Sequence, residues 1–256
     1  MPGTVYLVGA GPGAPDLLTL RAARLLERAD VVFYDALVHE EIVALARGAQ
    51  HVAVGKRCGR HSSAQRFINK RLVEAARKHA VVVRLKGGDP LLFGRAQEEI
   101  DALRAAGIAV EVVPGVTSAL AACAELGVSL TQRGVSRTVT LATPRVGAGH
   151  DPSEWTRAVG AADSAAIYMG SGLAAELSHA LQAAGLAATT PVMVVENASL
   201  PAVRRLATTL GELPRAVAGL GDGPAIILLG AAFLRASAGA PIGEVVAEFS
   251  AGARSA

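Results

Sequence analysis

Two glycine-rich stretches each follow an apolar run and could bring the main chain close to a ligand. The first, GAGPGA, spans residues 9–14, and the second, KGGDP, spans residues 86–90. Glycine lets a backbone approach a bound molecule closely, and Asp89 adds a carboxylate directly after the glycine pair. The two loops therefore predict a binding site in which backbone atoms and one carboxylate contact the ligand.

The first loop also matches the dinucleotide-binding pattern G-x-G-x-x-G/A, and Asp35 follows at the end of the next apolar run. Its chemistry argues against a pyrophosphate ligand. Pro12 removes one backbone N–H donor from the loop, and Asp16 places a negative charge at the start of the following helix. We expect a ligand without phosphate that approaches closely; the alternative is a tight strand-to-helix turn that binds nothing.

A basic segment follows the first loop in the chain. Ten Lys/Arg residues lie between Lys56 and Lys86 against one acidic residue, Glu74. We assign those of residues 63–79 to a solvated helix face, whereas the turn GKRCGRH at residues 55–61 can present several cations to one polyanion. Aromatic residues make up 4% of the chain and none interleaves with these cations, so a nucleic acid is not expected. A small acidic substrate fits better.

The length and composition of the chain restrict its domain number and the type of protein it can be. A chain of 256 residues is long enough for two domains of about 110–130 residues each. The hydrophobic fraction of 51% reflects alanine, and the apolar run at residues 225–234 is too short to span a bilayer. We recognise no export leader, and Cys58 and Cys123 lack a metal-ligand spacing. We expect a soluble, cytoplasmic protein that binds neither a metal nor a membrane.

The order of apolar patterns predicts two tandem α/β domains. Strand and helix patterns alternate in the first half, which favours a mostly parallel sheet, and the second half favours a mixed sheet. A Pro-Gly break places the boundary between them, giving domains at 1–114 and 115–240 and a weakly ordered tail at 241–256. Strands are predicted at 4–8, 30–34, 51–54, 81–86, 109–113, 136–142, 165–169, 191–195, 203–208 and 225–229, and helices at 16–28, 39–46, 64–79, 95–106, 118–126, 172–185 and 211–219.

Both glycine loops follow strands of the predicted parallel sheet. Ligands of open α/β sheets bind beyond the carboxyl ends of the strands, so the two loops are expected to face one site. A carboxylate between them suits a ligand that carries an ammonium or sulfonium charge, and S-adenosylmethionine is such a ligand.

Five segments in fixed order resemble one enzyme family. They are VYLVGAGPGAPDLLTL, ADVVFYDALV, VGKRCGRHSSAQ, VVRLKGGDPLLFGR and VVPGVTSA, and together they resemble the uroporphyrinogen-III C-methyltransferases, which are S-adenosylmethionine-dependent tetrapyrrole methyltransferases. The likeness is dense over residues 4–133, and IYMG, PVMVVENAS, LGEL and GPAIILLG continue it. The resemblance implies a homodimer, S-adenosylmethionine in the cleft between the domains, and methylation of uroporphyrinogen III at C2 and C7 to precorrin-2 for sirohaem and cobalamin.

The resemblance also implies roles for individual residues. Cofactor contacts fall on Pro12, Gly87, Gly88, Asp89, Leu92, Thr117, Ser118, Met169, Ala198 and Ala225, and substrate contacts on Lys56, Arg95, Arg133 and Met169. Asp35 and Lys56 occupy the positions of the family's proposed proton acceptor and donor, and Arg95 that of another residue implicated in catalysis. A guanidinium is a poor base but binds a carboxylate well, so we assign Arg95 to holding a substrate carboxylate in preference to accepting a proton. Without the family, Asp35 reads as a strand-end carboxylate satisfied by a turn.

The chain departs from the family pattern at three places expected to face the substrate. Ala36 stands where the family carries arginine, Gln132 replaces a histidine, and Pro144-Arg145 replaces a Gly-His pair. We therefore expect weaker substrate binding, or a stop after the first methylation. Three alternatives stay open: a sister methyltransferase acting on a later precorrin, a dinucleotide-dependent oxidoreductase, and a non-catalytic tetrapyrrole-binding protein of the same fold.

Overall fold

The chain contains two five-stranded sheets that follow one another in sequence. The structure is a computed structural model that describes residues 2–54, 62–145, 154–234 and 236, with the backbone alone for residues 62–64. The chain passes from the first sheet to the second between residues 113 and 139, and the exact domain boundary at 114–115 stays a prediction. Within the described ranges, no helix has both the length and the apolar character needed to cross a membrane.

The first sheet is entirely parallel, with the strand order β3-β2-β4-β1-β5. Its three inner strands are mostly apolar and buried because helices cover both faces. Leu72 and Leu103 from two helices pack on one face, and Leu26 and Ile42 from two others pack on the opposite face. The elements are β1 (Thr4–Gly9), α1 (Leu20–Arg28), β2 (Val31–Tyr34), α2 (Glu40–Val43), β3 (Gln50–Ala53), α3 (Ser62–Ala76), β4 (Val81–Lys86), α4 (Ala96–Ala105) and β5 (Ala109–Val113).

The second sheet is mixed, with the order β6-β7-β10-β8-β9, in which only β6 and β7 run parallel. Leu126 of one helix packs on one face, and Leu177 and Leu213 pack on the other. The two predicted sheet types are thereby confirmed. The elements are α5 (Ser118–Leu126), β6 (Val139–Ala142), α6 (Trp155–Ala161), β7 (Ser164–Tyr168), α7 (Ala174–Ala183), β8 (Pro191–Glu196), β9 (Arg204–Thr209), α8 (Leu213–Val217) and β10 (Ala225–Gly230).

Two elements differ most from the sequence-based prediction, and two others are shorter than predicted: the helix at 39–46 is Glu40–Val43 and the strand at 136–142 is Val139–Ala142. The helix predicted from residue 16 begins at Leu20, because a separate 3₁₀ turn occupies Pro15–Leu17 and the Thr19 hydroxyl accepts the Ala22 N–H at 3.1 Å as an N-cap. Helix α6, seven residues long, was not predicted, and it is the crossover that parallel pairing of β6 with β7 requires. The predicted tail at 241–256 lies outside the described residues.

Candidate active site

A cavity of about 520 Å³ lies where the two sheets meet. The ends of β1, β2 and β4 and the loops after them form one wall, and the ends of β7 and β8 with the start of β10 form the other. This volume falls within the range of small-molecule binding sites. We call this cavity the cleft.

The two glycine loops lie side by side in the cleft. Gly11 donates its N–H to the Gly88 carbonyl at 3.2 Å, and Gly88 donates to the Gly11 carbonyl at 2.7 Å. A Cβ on Gly9 would lie only 2.6 Å from Gly115 Cα and 2.8 Å from the Gly88 oxygen, so three backbones pack too closely for any side chain. Parallel pairing of β1 with β4 brings the loops together, as their positions after predicted strands indicated.

Asp89 anchors the second loop to its surroundings. Its Oδ1 accepts the Leu91 N–H at 2.8 Å, and its Oδ2 accepts the Gly115 N–H at 3.0 Å. A carboxylate has about four acceptor positions, so these two bonds leave room for a donor on a ligand. Asp89 therefore stabilises the conformation of the loop and can also bind a cation in the cleft.

The first loop lacks the features of a pyrophosphate site. Pro12 has no N–H, and the Ala14 N–H already donates to the Ser199 hydroxyl at 3.1 Å. The positive end of α1 is separated from the loop by the 3₁₀ turn that carries Asp16. Ala10, Gly11 and Ala14 already donate their N–H groups within the protein, so the loop offers a phosphate few donors and no adjoining α-helix dipole, which weighs against a dinucleotide ligand.

Tyr168 of the second half and Phe93 of the first half form an aromatic wall. The Tyr168 hydroxyl lies 2.6 Å from Thr117 Oγ1, and its ring packs against Phe93 with centroids 5.0 Å apart. Burial raises the pKa of Tyr168, so its hydroxyl stays protonated and neutral. The carbonyl of Met169, a residue with φ of 56°, accepts a hydrogen bond from Arg145 Nε at 3.3 Å. Arg145, which departs from the family pattern, thus lies at the rim of the cleft.

A cluster of buried charges forms the floor below the second loop. Arg84 and Lys86 project from the same face of β4, and both are about as buried as core residues, at 2% and 3% exposure. Arg84 donates from Nε to Glu99 Oε1 at 3.0 Å and from NH2 to Asp35 Oδ1 at 2.7 Å. Lys86 Nζ donates to both Glu99 oxygens at 3.2 Å, and Gln65 donates to Oε1 at 3.1 Å. Two cations therefore face two carboxylates.

The two cations of this cluster have pKa values shifted in opposite directions. Burial lowers the pKa of Lys86, and the neighbouring Arg84 lowers it further, against the opposing effect of Glu99. Burial also disfavours the charge of Arg84, but Asp35 and Glu99 overcome it and raise the pKa of Arg84. Lys86 is thus the cation of this cluster whose charge can change.

Sequence reasoning gave Arg84 and Lys86 no role in the site. The signal was present, since two cations at alternate positions of the apolar strand VVVRLK must share one buried face. Buried charges are paired with other charges, so this pattern predicts an ionic cluster next to the second glycine loop. The partner Glu99 belongs to a helix and could not be identified from the strand alone.

Most of the site residues predicted from the sequence line the cleft. All ten positions carried over as cofactor contacts line it, and so do Asp35 and Arg95. Arg133 is exposed in the turn before β6 and is not among the lining residues, so its substrate role stays a prediction. Lys56 lies outside the described residues.

Arg95 is paired within its own helix start. Its Nε and NH2 donate to the two oxygens of Glu98 at 2.7 and 2.8 Å. Hydrogen bonding to Glu98 raises the pKa of Arg95 and lowers the pKa of Glu98. Arg95 is thus an even poorer base than a free arginine, and a substrate carboxylate would have to share or replace Glu98.

A metal centre has no candidate ligands in the part of the chain that the structure describes. No group of three or more His, Cys, Asp or Glu side chains is placed there to hold an ion. Cys123 is buried, and burial raises the pKa of its thiol to about 11, which makes it a poor metal ligand and nucleophile.

Comparison with known proteins gives consistent matches. The family model of the Tetrapyrrole (Corrin/Porphyrin) Methylases matches residues 4–214. Uroporphyrinogen-III C-methyltransferase of Pseudomonas aeruginosa is 44% identical over 231 residues, 90% of this chain and 94% of that protein. Siroheme synthase of Chromobacterium violaceum is 46% identical over 230 residues, 89% of this chain but 49% of that protein. The chain thus spans about half the length of the siroheme synthases that it matches.

A solved structure resembles the whole fold. Uroporphyrin-III C-methyl transferase from Thermus thermophilus, complexed with S-adenyl homocysteine, superposes with a TM-score of 0.78 at 40% identity. The match covers 90% of this chain and 98% of that one. The likeness therefore includes both sheets and the cleft between them.

Proposed function

Because the chain belongs to the tetrapyrrole (corrin/porphyrin) methylases, we propose that it transfers methyl groups from S-adenosylmethionine to C2 and C7 of uroporphyrinogen III, which gives precorrin-2. One observation carries the proposal: ten positions taken over from the uroporphyrinogen-III C-methyltransferases by sequence alone line a single cleft. The relatives from Pseudomonas aeruginosa and Thermus thermophilus, whose names state this activity, support it.

The cleft fits S-adenosylmethionine by its chemistry. Leu92, Val195 and Ile226 offer apolar walls to an adenosyl group, and the paired glycine loops let backbone atoms approach it. Asp89 supplies a carboxylate for the ammonium or the sulfonium charge. The absence of phosphate-binding features in the first loop also suits a ligand without phosphate.

When bound, S-adenosylmethionine supplies an electrophilic methyl group on a sulfonium. The residues of the cleft have to align this group with a pyrrole carbon and exclude water, because a direct displacement needs little further help. Tyr168 and Phe93 form an aromatic wall beside Thr117, which suits that task. The protein thus acts mainly by positioning.

A proton must also leave the methylated macrocycle. Asp35 lines the cleft, is oriented by Arg84 through its Oδ1, and retains Oδ2 for further contacts, so it is our candidate acceptor. Arg95 remains an anchor for a substrate carboxylate, since its raised pKa opposes the role of a base. Lys56 and Arg133 complete the proposed substrate contacts.

Mass spectrometry of the product tests the proposal. Purified protein incubated with uroporphyrinogen III and S-adenosylmethionine should add two methyl groups. One addition would support a stop after the first step, which Ala36, Gln132 and Arg145 could cause by altering polar contacts to the substrate. No addition, with normal binding of S-adenosylhomocysteine, would instead favour a later precorrin as substrate or a non-catalytic protein.

Calorimetry separates the dinucleotide alternative. Titration with S-adenosylhomocysteine should give a clear binding isotherm, and titration with NADH should give none. Tight NADH binding would contradict the proposal. A homodimer and a cytoplasmic location are further proposals. The family resemblance supports the first, and the two cysteines far apart in the sequence, which fit reduced thiols, support the second. Sedimentation of the purified protein tests the first.

A further inference from the structure

Lys86 is a buried cation at the cleft for which the proposed mechanism has no use. It ends β4, directly before the second glycine loop, where parallel sheets place their ligands. It is 3% exposed, yet it lines the cleft. A Cβ on Gly94 would lie 3.2 Å from Lys86 Cε, so the backbone of Gly94 packs directly against the lysine stem and leaves no room for a side chain there.

The hydrogen bonds of the floor separate Lys86 from Arg84. Arg84 uses Nε, Nη1 and Nη2 on Glu99, the Leu85 carbonyl and Asp35, so each of its three nitrogens already donates a hydrogen bond. Lys86 reaches both Glu99 oxygens at 3.2 Å, longer than the roughly 2.7–2.9 Å of a strong charge-assisted bond. An ammonium has three N–H groups, and Glu99 is its one hydrogen-bond partner among the described residues. Lys86 can therefore take another acceptor.

Resting on the proposed function, we propose that Lys86 is a further substrate-anchoring residue, whose ammonium hydrogen-bonds a carboxylate of the tetrapyrrole while Glu99 holds it in place. A tetrapyrrole with eight carboxylates supplies such an acceptor. With Lys86 charged, the floor is neutral, since Arg84 and Lys86 balance Asp35 and Glu99. Loss of the ammonium would leave one excess negative charge facing a polyanion.

Steady-state kinetics of Lys86→Met tests this role. The variant should raise KM for uroporphyrinogen III by about tenfold or more, because it loses one charge-assisted hydrogen bond, while kcat stays near that of the wild type. Lys78→Met is the matched control: it removes the same charge from an exposed position beyond α3 and should leave KM unchanged. The wild-type protein must first be shown to methylate uroporphyrinogen III. If it does not, the proposed function itself is refuted, whereas an unchanged KM in Lys86→Met refutes only the anchoring role.

A double variant keeps the test decisive if Lys86→Met folds poorly. Lys86→Met combined with Glu99→Gln removes one charge of each sign and leaves Arg84 paired with Asp35. Anchoring predicts a KM as high as in the single variant. Recovery of the wild-type KM would show that Lys86 only balances Glu99, and a fall in kcat at unchanged KM would assign Lys86 to the chemical step; either result overturns the inference. Thermal unfolding and S-adenosylhomocysteine affinity serve as the folding controls.

Discussion

Asp89 combines two roles that substitutions can separate. Its oxygens accept the N–H groups of Leu91 and Gly115 at 2.8 and 3.0 Å, so Asp89→Ala removes both bonds as well as the charge offered to the ligand. A hydrogen bond to a charged group contributes about 1.5–3 kcal/mol, and the exposed bond to Leu91 contributes less because water replaces it. We expect Asp89→Ala to lower the free energy of unfolding by about 2–4 kcal/mol.

Asp89→Asn isolates the charge. Asparagine keeps one acceptor oxygen and nearly the same shape, so it should destabilise the fold less than alanine does. Calorimetry should show affinity for the cofactor reduced by about tenfold to a hundredfold, the loss of one charge-assisted contact. S-adenosylhomocysteine keeps the ammonium but lacks the sulfonium charge. Equal losses for both ligands would assign Asp89 to the ammonium, and a larger loss for S-adenosylmethionine would assign it to the sulfonium.

The result that would refute this reasoning is wild-type affinity for both ligands in Asp89→Asn. Asp89 would then be a structural residue that shapes the loop and does not recognise the ligand. Asp101→Asn is the control, because Asp101 is an exposed carboxylate on α4 whose one side-chain partner among the described residues is Gln97, at 2.7 Å. It should change neither affinity nor the free energy of unfolding by a measurable amount.

Three further measurements probe the substrate side of the cleft. KM for uroporphyrinogen III should rise with added salt while cofactor affinity barely changes, since the substrate is a polyanion; a salt-insensitive KM would argue against cationic recognition. Ala36→Arg, at an exposed position between two cleft-lining residues, should lower KM, and an unchanged value would show that this position does not face the substrate. In the wild type, KM should rise with pH as Lys86 loses its ammonium charge. Burial and the neighbouring Arg84 lower the pKa of Lys86 more than Glu99 and Asp35 raise it, so this loss begins below the ordinary pKa of lysine. Lys86→Met should lack this rise in KM.

Local sequence signals were sufficient for most of the architecture. Period-two and continuous apolar runs depend only on neighbouring residues, so the strands and the difference between a parallel and a mixed sheet could be predicted. The errors arose where long-range packing decided. The residues from 15 to 19 form a 3₁₀ turn and a cap in place of a helix start, and α6 exists because β6 and β7 pair in parallel.

The types and order of the residues were enough to reveal the available chemistry: glycine loops without a phosphate cradle, one carboxylate after a strand, and motifs whose order resembles one methyltransferase family. Which of these groups meet depends on the fold. Asp89 is bound to Gly115, 26 residues away, and Arg84 joins Asp35 to Glu99 over separations of 49 and 15 residues. Such partners are set by sheet order and helix packing, because contacts between distant residues leave no local pattern in the chain.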